Sequence, residues 1–286
     1  MQWYPAPAKL NLFLHVLGRR EDGYHLLQTV FRLVDLQDEV GVALRTDGVI
    51  QRVDTTPGVG VDEDLCVRAA RLLQGVARQR FGAATADALG VDLGLRKHIP
   101  IGGGLGGGSS NAATVLLVLN RLWQLDLKRS ELMALGLTLG ADVPLFVFGQ
   151  NALGEGVGER LQALILPAAS YLILRPQVSV STKEIFSSAA LTRDTKALKI
   201  PPFFPGLGRN DLQPVATALY PDIAQHLNWL EQHGAKARMT GSGSCVFAQF
   251  DQLEQAAGLA ARLPKDMLGF VAQGLAEHPL RAWLED

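Results

Sequence analysis

The stretch PIGGGLGGGSSNAATVLL, Pro100–Leu117, decides the fold. Six of the seven residues over 102–108 are glycine, and a helix-like apolar pattern follows. Glycine loses more backbone freedom on ordering than any other residue, so this run needs a reason. A glycine loop that opens onto a helix N-terminus presents free N–H groups and a positive dipole end to an anion. We predict a phosphate-binding loop, with Ser109 or Ser110 as N-cap of a helix over 110–124.

The loop does not match the Walker A motif GxxxxGK[ST], which requires lysine directly after its last glycine. Gly103 and Gly108 have the correct spacing, but Ser109 stands where that lysine would be. A phosphate bound here would therefore contact backbone N–H groups and the helix N-terminus rather than a loop lysine.

A dinucleotide-binding loop is the alternative interpretation. The pattern GxGxxG fits formally at Gly102, Gly104 and Gly107, and such a match is weak in so glycine-rich a run. The fingerprint also requires an acidic residue about 20 positions later, at the end of a second strand. Asp126 has roughly this spacing but lies between two helical patterns. An oxidoreductase is therefore kept only as an alternative.

The composition is that of a globular protein long enough for two domains. The chain has 286 residues, 48% hydrophobic and 19% charged, with a net charge of −1. Without a basic block, nucleic-acid binding is not expected. Cys66 and Cys245 lie far apart in apolar patterns, which favours free thiols and a reducing, cytoplasmic location. No signal peptide or membrane-spanning stretch is visible.

Strand-rich stretches mixed with helix pairs predict an α+β fold in two halves. The glycine-rich segment NALGEGVGERL predicts the seam, and we divide the chain into residues 1–152 and 153–286. Apolar alternation predicts early strands at 8–18, 26–36 and 38–44. A helix is predicted over 64–82, capped by Asp64 or Asp62 and ended by Gly82.

A second glycine loop, MTGSGSCVF, places Gly241, Ser242 and Gly243 between two apolar strand patterns. By itself this segment is equally compatible with a simple hairpin turn. Together with the first loop, it predicts two walls of one phosphate-lined cleft between the halves.

Two charged residues interrupt apolar patterns. Asp142 lies in LGADVPLFVF, and a buried carboxylate needs a partner. Its simpler interpretation is a cap or turn residue before Pro144. Lys9 interrupts the strand pattern PAKLNLFL, where an edge or surface lysine is the simpler interpretation. A functional interpretation pairs the two, with Asn11 on the same strand face as Lys9.

In this order along the chain, PAKLNLFL, GRREDGYHLLQTVF, IPIGGGLGGGSSNAAT, LGADVPLFV and TGSGSCVF resemble the motifs of the GHMP kinase superfamily. The resemblance covers nearly the whole chain and implies a two-domain α+β GHMP kinase fold with a catalytic cleft between the domains. DGYH and LGADVPLFV resemble the branch that uses ATP to phosphorylate a cytidine-diphospho sugar alcohol of the non-mevalonate isoprenoid pathway. Residues 189–207 are the part least like the family.

The resemblance implies that Asp142 is the catalytic acid–base group and that Lys9 pairs with it. The implied substrate-binding residues are Asn11, Tyr24, His25, Thr182, Phe186, Gly241, Ser242 and Gly243. Among them, Tyr24, His25 and Phe186 would hold the cytosine. The implied ATP-binding residues are Lys97, Pro100, Ile101, Gly102, Gly103, Gly104, Leu105, Gly106, Gly107, Gly108, Ser109 and Ser110.

The resemblance also implies that ATP binds as its magnesium complex, while the protein ligands of Mg²⁺ and the oligomeric state stay open. A mevalonate or homoserine kinase of the same superfamily is an alternative, although neither needs a cytosine pocket. An RNA-binding module is a further alternative, because GHMP N-domains resemble a ribosomal-protein domain. The net charge of −1 argues against it.

Overall fold

The computed structural model describes residues 1–54, 60, 63–200 and 206–284. The strands of the first half are β1 (Gln2–Arg19), β2 (His25–Arg45), β3 (Ile50–Arg52), β4 (Gly90–Arg96), β5 (Ala152–Gly156) and β6 (Arg160–Ala163). Its helices are α1 (Leu65–Phe81), α2 (Ala83–Ala86), α3 (Gly107–Leu122), α4 (Arg129–Leu139) and α5 (Val143–Phe148). The strands of the second half are β7 (Ser170–Arg175), β8 (Ala237–Met239), β9 (Val246–Phe250) and β10 (Leu268–Gln273). Its helices are α6 (Thr182–Ser187), α7 (Gln213–Leu219), α8 (Pro221–Gln232) and α9 (Leu253–Ala260), followed by a 3₁₀ turn, Arg281–Trp283.

The first sheet is built on the long antiparallel pair β1 and β2. The pairing runs from Gln2 opposite Val42 to Arg19 opposite His25. On its other side, β2 pairs with β5 near its start and with β4 near its end. The hairpin partner β6 follows β5, and β3 adds a parallel pair to β4. Strand β2 therefore lies in the middle of the sheet, and β1 lies along it at the edge.

The structure corrects the prediction of separate strands at 26–36 and 38–44, because β2 is continuous through Asp38. The Asp38 carboxylate is fully buried and accepts hydrogen bonds from the backbone N–H groups of His98 and Ile99, both at 2.8 Å. These bonds satisfy the buried charge, so the residue does not end the strand.

The first core lies between this sheet and helices α1 and α3. The helix predicted over 64–82 is confirmed: the Asp64 carboxylate accepts from the N–H groups of Cys66 and Val67, and Gly82 follows its last residue. The other candidate cap, Asp62, lies outside the described residues. Helix α3 is buried continuously from Ser110 to Asn120, as a helix at the centre of a core should be. This packing holds the glycine loop at its N-terminus in place.

The second sheet is antiparallel, in the order β10-β7-β9-β8, and its core packs against the helices of the second half. A third apolar cluster joins the halves, with Leu10 and Phe13 of β1 in one cluster with Ile173 of β7 and Phe247 of β9. The α+β fold in two halves is confirmed. Within the described ranges, no helix is both long and apolar enough to cross a bilayer.

The division at residue 152 stays a prediction, and the β5–β6 hairpin at 152–163 belongs to the first sheet. The end of the chain also returns to the first half. Arg129 of α4 donates to the carbonyl oxygens of Arg281 and Leu284 at 3.0 and 2.8 Å. The first half therefore includes residues from both ends of the sequence.

Candidate active site

The glycine loop ends one turn earlier than the sequence suggested. Helix α3 begins at Gly107 with Gly106 as N-cap, so the prediction that Ser109 or Ser110 caps the helix is wrong. Gly106 has a left-handed φ of 73°, and no side chain of the described residues makes a capping hydrogen bond to this helix end. A serine cap would occupy an N-terminal N–H group with its own hydroxyl. The free N–H groups found here suit an anion.

The two glycine loops contact each other. A Cβ on Gly104 would lie 2.4 Å from the carbonyl oxygen of Thr240, and one on Gly103 would lie 2.5 Å from Cys245 Sγ. The N–H of Cys245 donates to the Gly103 carbonyl at 3.1 Å. Because only glycine allows this approach, the contact explains part of the glycine run. Strands β8 and β9 form the predicted hairpin, and their loop is also a wall of the cleft.

We expect Gly104→Ala to weaken ATP binding and stability more than Gly102→Ala does. Both residues have positive φ, at 76° and 72°, which costs alanine about 1–2 kcal/mol. Only the Gly104 Cβ meets backbone atoms, which adds about 1–3 kcal/mol of overpacking, while the Gly102 Cβ faces open space. Thermal midpoints and the Kd of an ATP analogue measure the difference. Equal effects in the two variants would show that contact between the loops is unimportant.

Lys9 and Asp142 meet beside the glycine loop. Lys9 Nζ lies 3.2 Å from Asp142 Oδ2, with the lysine side chain 4% exposed and the aspartate 34% exposed. The backbone N–H of Lys9 donates to the carbonyl of Leu105 in the loop at 3.0 Å. Lys9 therefore lies on an edge strand that the glycine loop covers, so it is not a surface lysine, and its ammonium is held next to the predicted phosphate site.

Asp142 occupies the N-cap position of α5, in agreement with the simpler interpretation of this residue. However, its side chain makes no capping hydrogen bond. Pro144 near the helix start lacks an N–H group and needs none at that position. The carboxylate is therefore free to face Lys9 and the cavity.

Asn11 links the two strands and the second loop. Its Oδ1 accepts from Lys9 Nζ at 2.7 Å, and its Nδ2 donates to Thr29 Oγ1 at 2.9 Å. Its backbone N–H donates to Thr240 Oγ1 at 3.0 Å. These contacts orient the Lys9 ammonium. Sequence reasoning missed Thr29 and Thr240, because a threonine within or directly after an apolar strand carries no distinctive signal.

Aromatic side chains line another part of the cleft. The rings of His25 and Phe186 lie 5.0 Å apart with an interplanar angle of 35°, although they come from β2 and α6. Tyr24 lines the same cavity and is 65% exposed. Thr182 Oγ1 and Ser242 Oγ are 2.8 Å apart, which ties α6 to the second loop. The structure thus brings together the residues that the sequence assigned to one base pocket.

Lys97 lies beside the glycine loop and is held by an ion pair with Asp38. Its Nζ donates to Asp38 Oδ2 at 2.5 Å, and the carboxylate is fully buried. A Cβ on Gly107 would lie 3.1 Å from this Nζ. Lys97 is therefore next to the N-terminus of α3, where a phosphate would bind. Asp38 was missed in the sequence because it looked like the polar first residue of a strand.

Two cavities share the glycine loop as a wall. The larger, about 910 Å³, contains Lys9, Asn11, Asp142, Tyr24, His25, Thr182, Phe186, Gly241, Ser242 and Gly243 in its lining. The smaller, about 380 Å³, is lined by Lys97, by residues 100–109 and by Glu63, Asp64, Leu65, Cys66, Leu95 and Asn111. Gly102, Gly104, Gly106 and Ser109 border both. Two ligands could therefore meet across the loop. Ser110 borders neither, and its buried hydroxyl has no partner among the described residues.

The dinucleotide-binding alternative is wrong. Asp126 lies in the turn between α3 and α4 rather than at the end of a second strand. The parallel βαβ unit that the fingerprint requires is therefore missing at this point of the chain.

The family models that match this chain, and two of its most similar relatives, are all named as kinases. Residues 64–150 match the GHMP kinases N terminal domain, and residues 197–268 match the GHMP kinases C terminal domain. A protein from Thiobacillus denitrificans named 4-diphosphocytidyl-2-C-methyl-D-erythritol kinase is 59% identical over 279 residues, covering 98% of this chain and 97% of that protein. The protein of the same name from Nitrosospira multiformis is 57% identical over 283 residues, covering 98% and 94%.

Solved structures agree. A crystal structure of 4-(cytidine 5'-diphospho)-2C-methyl-D-erythritol kinase has 33% identity and a TM-score of 0.78, covering 96% of this chain and 100% of that one. A homoserine kinase from Cytophaga hutchinsonii, at 16% identity and a TM-score of 0.67, covers 97% and 96% and shares the fold. The chain therefore belongs to the GHMP kinases and, within them, to the family of 4-diphosphocytidyl-2-C-methyl-D-erythritol kinases.

Proposed function

We propose that this chain uses ATP to phosphorylate the 2-hydroxyl of 4-diphosphocytidyl-2-C-methyl-D-erythritol, giving the 2-phosphate in non-mevalonate isoprenoid precursor biosynthesis. One observation carries the proposal. A single cavity contains the Lys9–Asp142 pair, the glycine loop and the His25–Phe186 ring pair. Phosphoryl transfer requires the charged pair and the glycine loop, and binding of a cytosine requires the ring pair.

The ATP phosphates bind at the glycine loop and the N-terminus of α3. Backbone N–H groups and the helix dipole stabilise their charge without a Walker lysine. The nucleoside occupies the smaller cavity, where Leu65 and Leu95 offer apolar contacts and Lys97 adds a positive charge. The γ-phosphoryl group then faces the larger cavity across the loop.

Asp142 accepts the proton of the substrate hydroxyl as its oxygen attacks the γ-phosphorus in line. The bond from that phosphorus to the bridging oxygen breaks, and ADP leaves. The Lys9 ammonium holds Asp142 in place and stabilises negative charge in the transition state. Catalysis of this kind depends on positioning, which the Asn11 contacts provide.

The residues present fit a magnesium ion that is held mainly by phosphates and water. Among the residues with described positions, no group of three or more His, Cys, Asp or Glu could form a metal cage. Ser109 and Asp142 border the cavity with oxygen donors, the type that Mg²⁺ prefers. When bound with ATP, the ion neutralises phosphate charge.

A panel of acceptor alcohols tests the proposal. ADP formation from ATP is measured with the cytidine-diphospho alcohol, mevalonate and homoserine under identical conditions. We expect kcat/KM for the cytidine substrate to exceed the others by orders of magnitude. Comparable turnover of mevalonate or homoserine would contradict the proposal. A cytoplasmic location, and the expectation that neither nucleic acid nor membrane is a partner, stay predictions.

Tyr24→Ala and Phe186→Ala should each lower the binding affinity for the cytidine substrate by roughly ten- to a hundred-fold, while the affinity for ATP stays nearly constant. Each removes a ring that stacks on the base, and such stacking contributes about 1–3 kcal/mol. Tyr24 is largely exposed, so its loss should not disturb the fold. Isothermal titration with the substrate and an ATP analogue separates the two effects.

Phe81→Ala is the matched control, because Phe81 is a half-exposed phenylalanine at the end of α1 and borders neither cavity. It should leave both affinities unchanged. If ATP binding falls in the Tyr24 and Phe186 variants while substrate binding does not, the base pocket is assigned to the wrong ligand.

A further inference from the structure

Arg193 connects two walls of the base pocket. Its Nε donates to His25 Nε2 at 3.0 Å, and its Nη2 donates to the carbonyl oxygens of Phe186 and Ser188 at 2.9 and 2.8 Å. Its Nη1 donates to the Leu191 carbonyl at 3.1 Å. Nε and Nη2 thus hold the start of β2 and the end of α6 together, while Nη1 bonds within the segment that carries Arg193. Arg193 lies in the segment for which the sequence offered no interpretation.

The contact with Arg193 determines which nitrogen of His25 carries hydrogen. An arginine N–H always donates and never accepts. His25 Nε2 must therefore supply its lone pair, and in the neutral ring the hydrogen lies on Nδ1. Within the part of the chain that the structure describes, no group bonds to Nδ1. This nitrogen is thus a free hydrogen-bond donor on a residue that lines the cavity.

We propose that Arg193 is a positioning residue that selects cytosine over uracil by holding His25 as an Nδ1–H donor. The inference rests on the proposed function, in which His25 contacts the base edge. N3 of cytosine accepts a hydrogen bond, whereas N3 of uracil carries a hydrogen and donates. An N–H donor held on Nδ1 therefore makes a hydrogen bond to N3 of cytosine. Opposite uracil, the same donor faces the N3–H donor, and no hydrogen bond forms. Arg193 acts through His25 and need not touch the base.

The surroundings of His25 disfavour protonation of its ring. Burial lowers its pKa, and the positive charges of Arg193 and of Arg19 at the end of β1 lower it further. Asp22 in the following turn and Lys183 on α6 also line this cavity. In Arg193→Met the pKa of His25 should rise toward its ordinary value of about 6.5. The ring of that variant should then take up a proton at a higher pH than the native ring does.

The first experiment needs no substrate. Long-range ¹H–¹⁵N spectra of the imidazoles report which ring nitrogen carries hydrogen, and a His25→Ala sample assigns the signal. We expect the Nδ1–H form in the native protein and a mixture of both neutral forms in Arg193→Met. An Nε2–H ring in the native protein, or an unchanged ring in the variant, would overturn the proposal whether or not the proposed function holds.

The second experiment compares kcat/KM for the cytidine substrate and its uridine analogue. In Arg193→Met the ring can present Nδ1 as an acceptor to the N3–H of uracil. The ratio of kcat/KM for the uridine analogue to kcat/KM for the cytidine substrate should therefore rise about tenfold at about pH 8. That gain should shrink at about pH 5.5, because imidazolium donates from both nitrogens. Native selectivity should stay constant between these pH values. Arg193→Lys, which keeps a donor and a positive charge, should recover part of the selectivity.

Lys196→Met is the matched control, since Lys196 is an exposed cation of the same segment. It should keep native selectivity at both pH values. If Arg193→Met lowers activity on both substrates equally, without a gain for uridine or a pH effect, Arg193 only supports the fold and the proposal is wrong. If the native protein does not phosphorylate the cytidine alcohol, the proposed function fails instead.

Discussion

Asp142→Asn is expected to lower kcat by roughly 10²- to 10⁴-fold, the usual contribution of a general base. Asparagine keeps the shape of the side chain but cannot accept the proton of the attacking hydroxyl. The fold should persist, because the carboxylate is one-third exposed and makes no capping hydrogen bond to α5. Single-turnover rates at saturating ATP and substrate measure the chemical step directly.

Asp266→Asn is the control for that loss, since Asp266 is an exposed aspartate that borders neither the glycine loop nor the base pocket. It should retain native turnover. Thermal midpoints of both variants should lie close to that of the native protein. Turnover within a few-fold of native in Asp142→Asn would show that this carboxylate is not the base.

Lys9→Met should lower kcat by about 10²- to 10³-fold, as expected when a preorganised charge is removed from a phosphoryl-transfer site. Methionine fills the buried space that the lysine stem occupies but leaves Asp142 without its partner and Asn11 Oδ1 without its donor. Lys236→Met is the control, because Lys236 is an exposed lysine of the second half. It should leave kcat unchanged.

A double-mutant cycle tests whether Lys9 and Asp142 act as one unit. Their atoms are 3.2 Å apart, so the combined variant should lose less activity than the product of the single losses. The kcat/KM values of the native, two single and one double variant complete the cycle. Strictly multiplicative losses would mean that the two residues contribute independently and that the ion pair has no catalytic role.

Local signals predicted much of the fold. The cap at Asp64 and the stop at Gly82, directly after the last residue of α1, could be predicted because both depend on residues that are neighbours in the chain. The glycine loop and the start of a buried helix behind it were predicted for the same reason. The details that failed depend on tertiary contacts. The continuous strand β2 needs Asp38 to bond a distant turn, and the cap at Gly106 needs a loop with positive φ rather than a serine.

The site divides in the same way. Residue types and spacing singled out Lys9, Asn11 and Asp142, whereas the resemblance of the motifs implied Lys97, the aromatic residues of the base pocket and the roles of all of them. The sequence did not identify Thr29, Thr240 or Arg193, because ordinary strand and loop residues acquire a role only through the partners they meet.

By itself, the sequence determined the features that arise between near neighbours: the glycine loop before a helix, the capped helix α1 and the class of fold. Only the tertiary structure decided that Lys9 lies beside Asp142 and that Arg193 meets His25. The physical reason is distance along the chain. Backbone conformation follows from local sterics and hydrogen bonds, whereas contacts between remote side chains depend on strand register and on how the two halves pack around their shared apolar cluster.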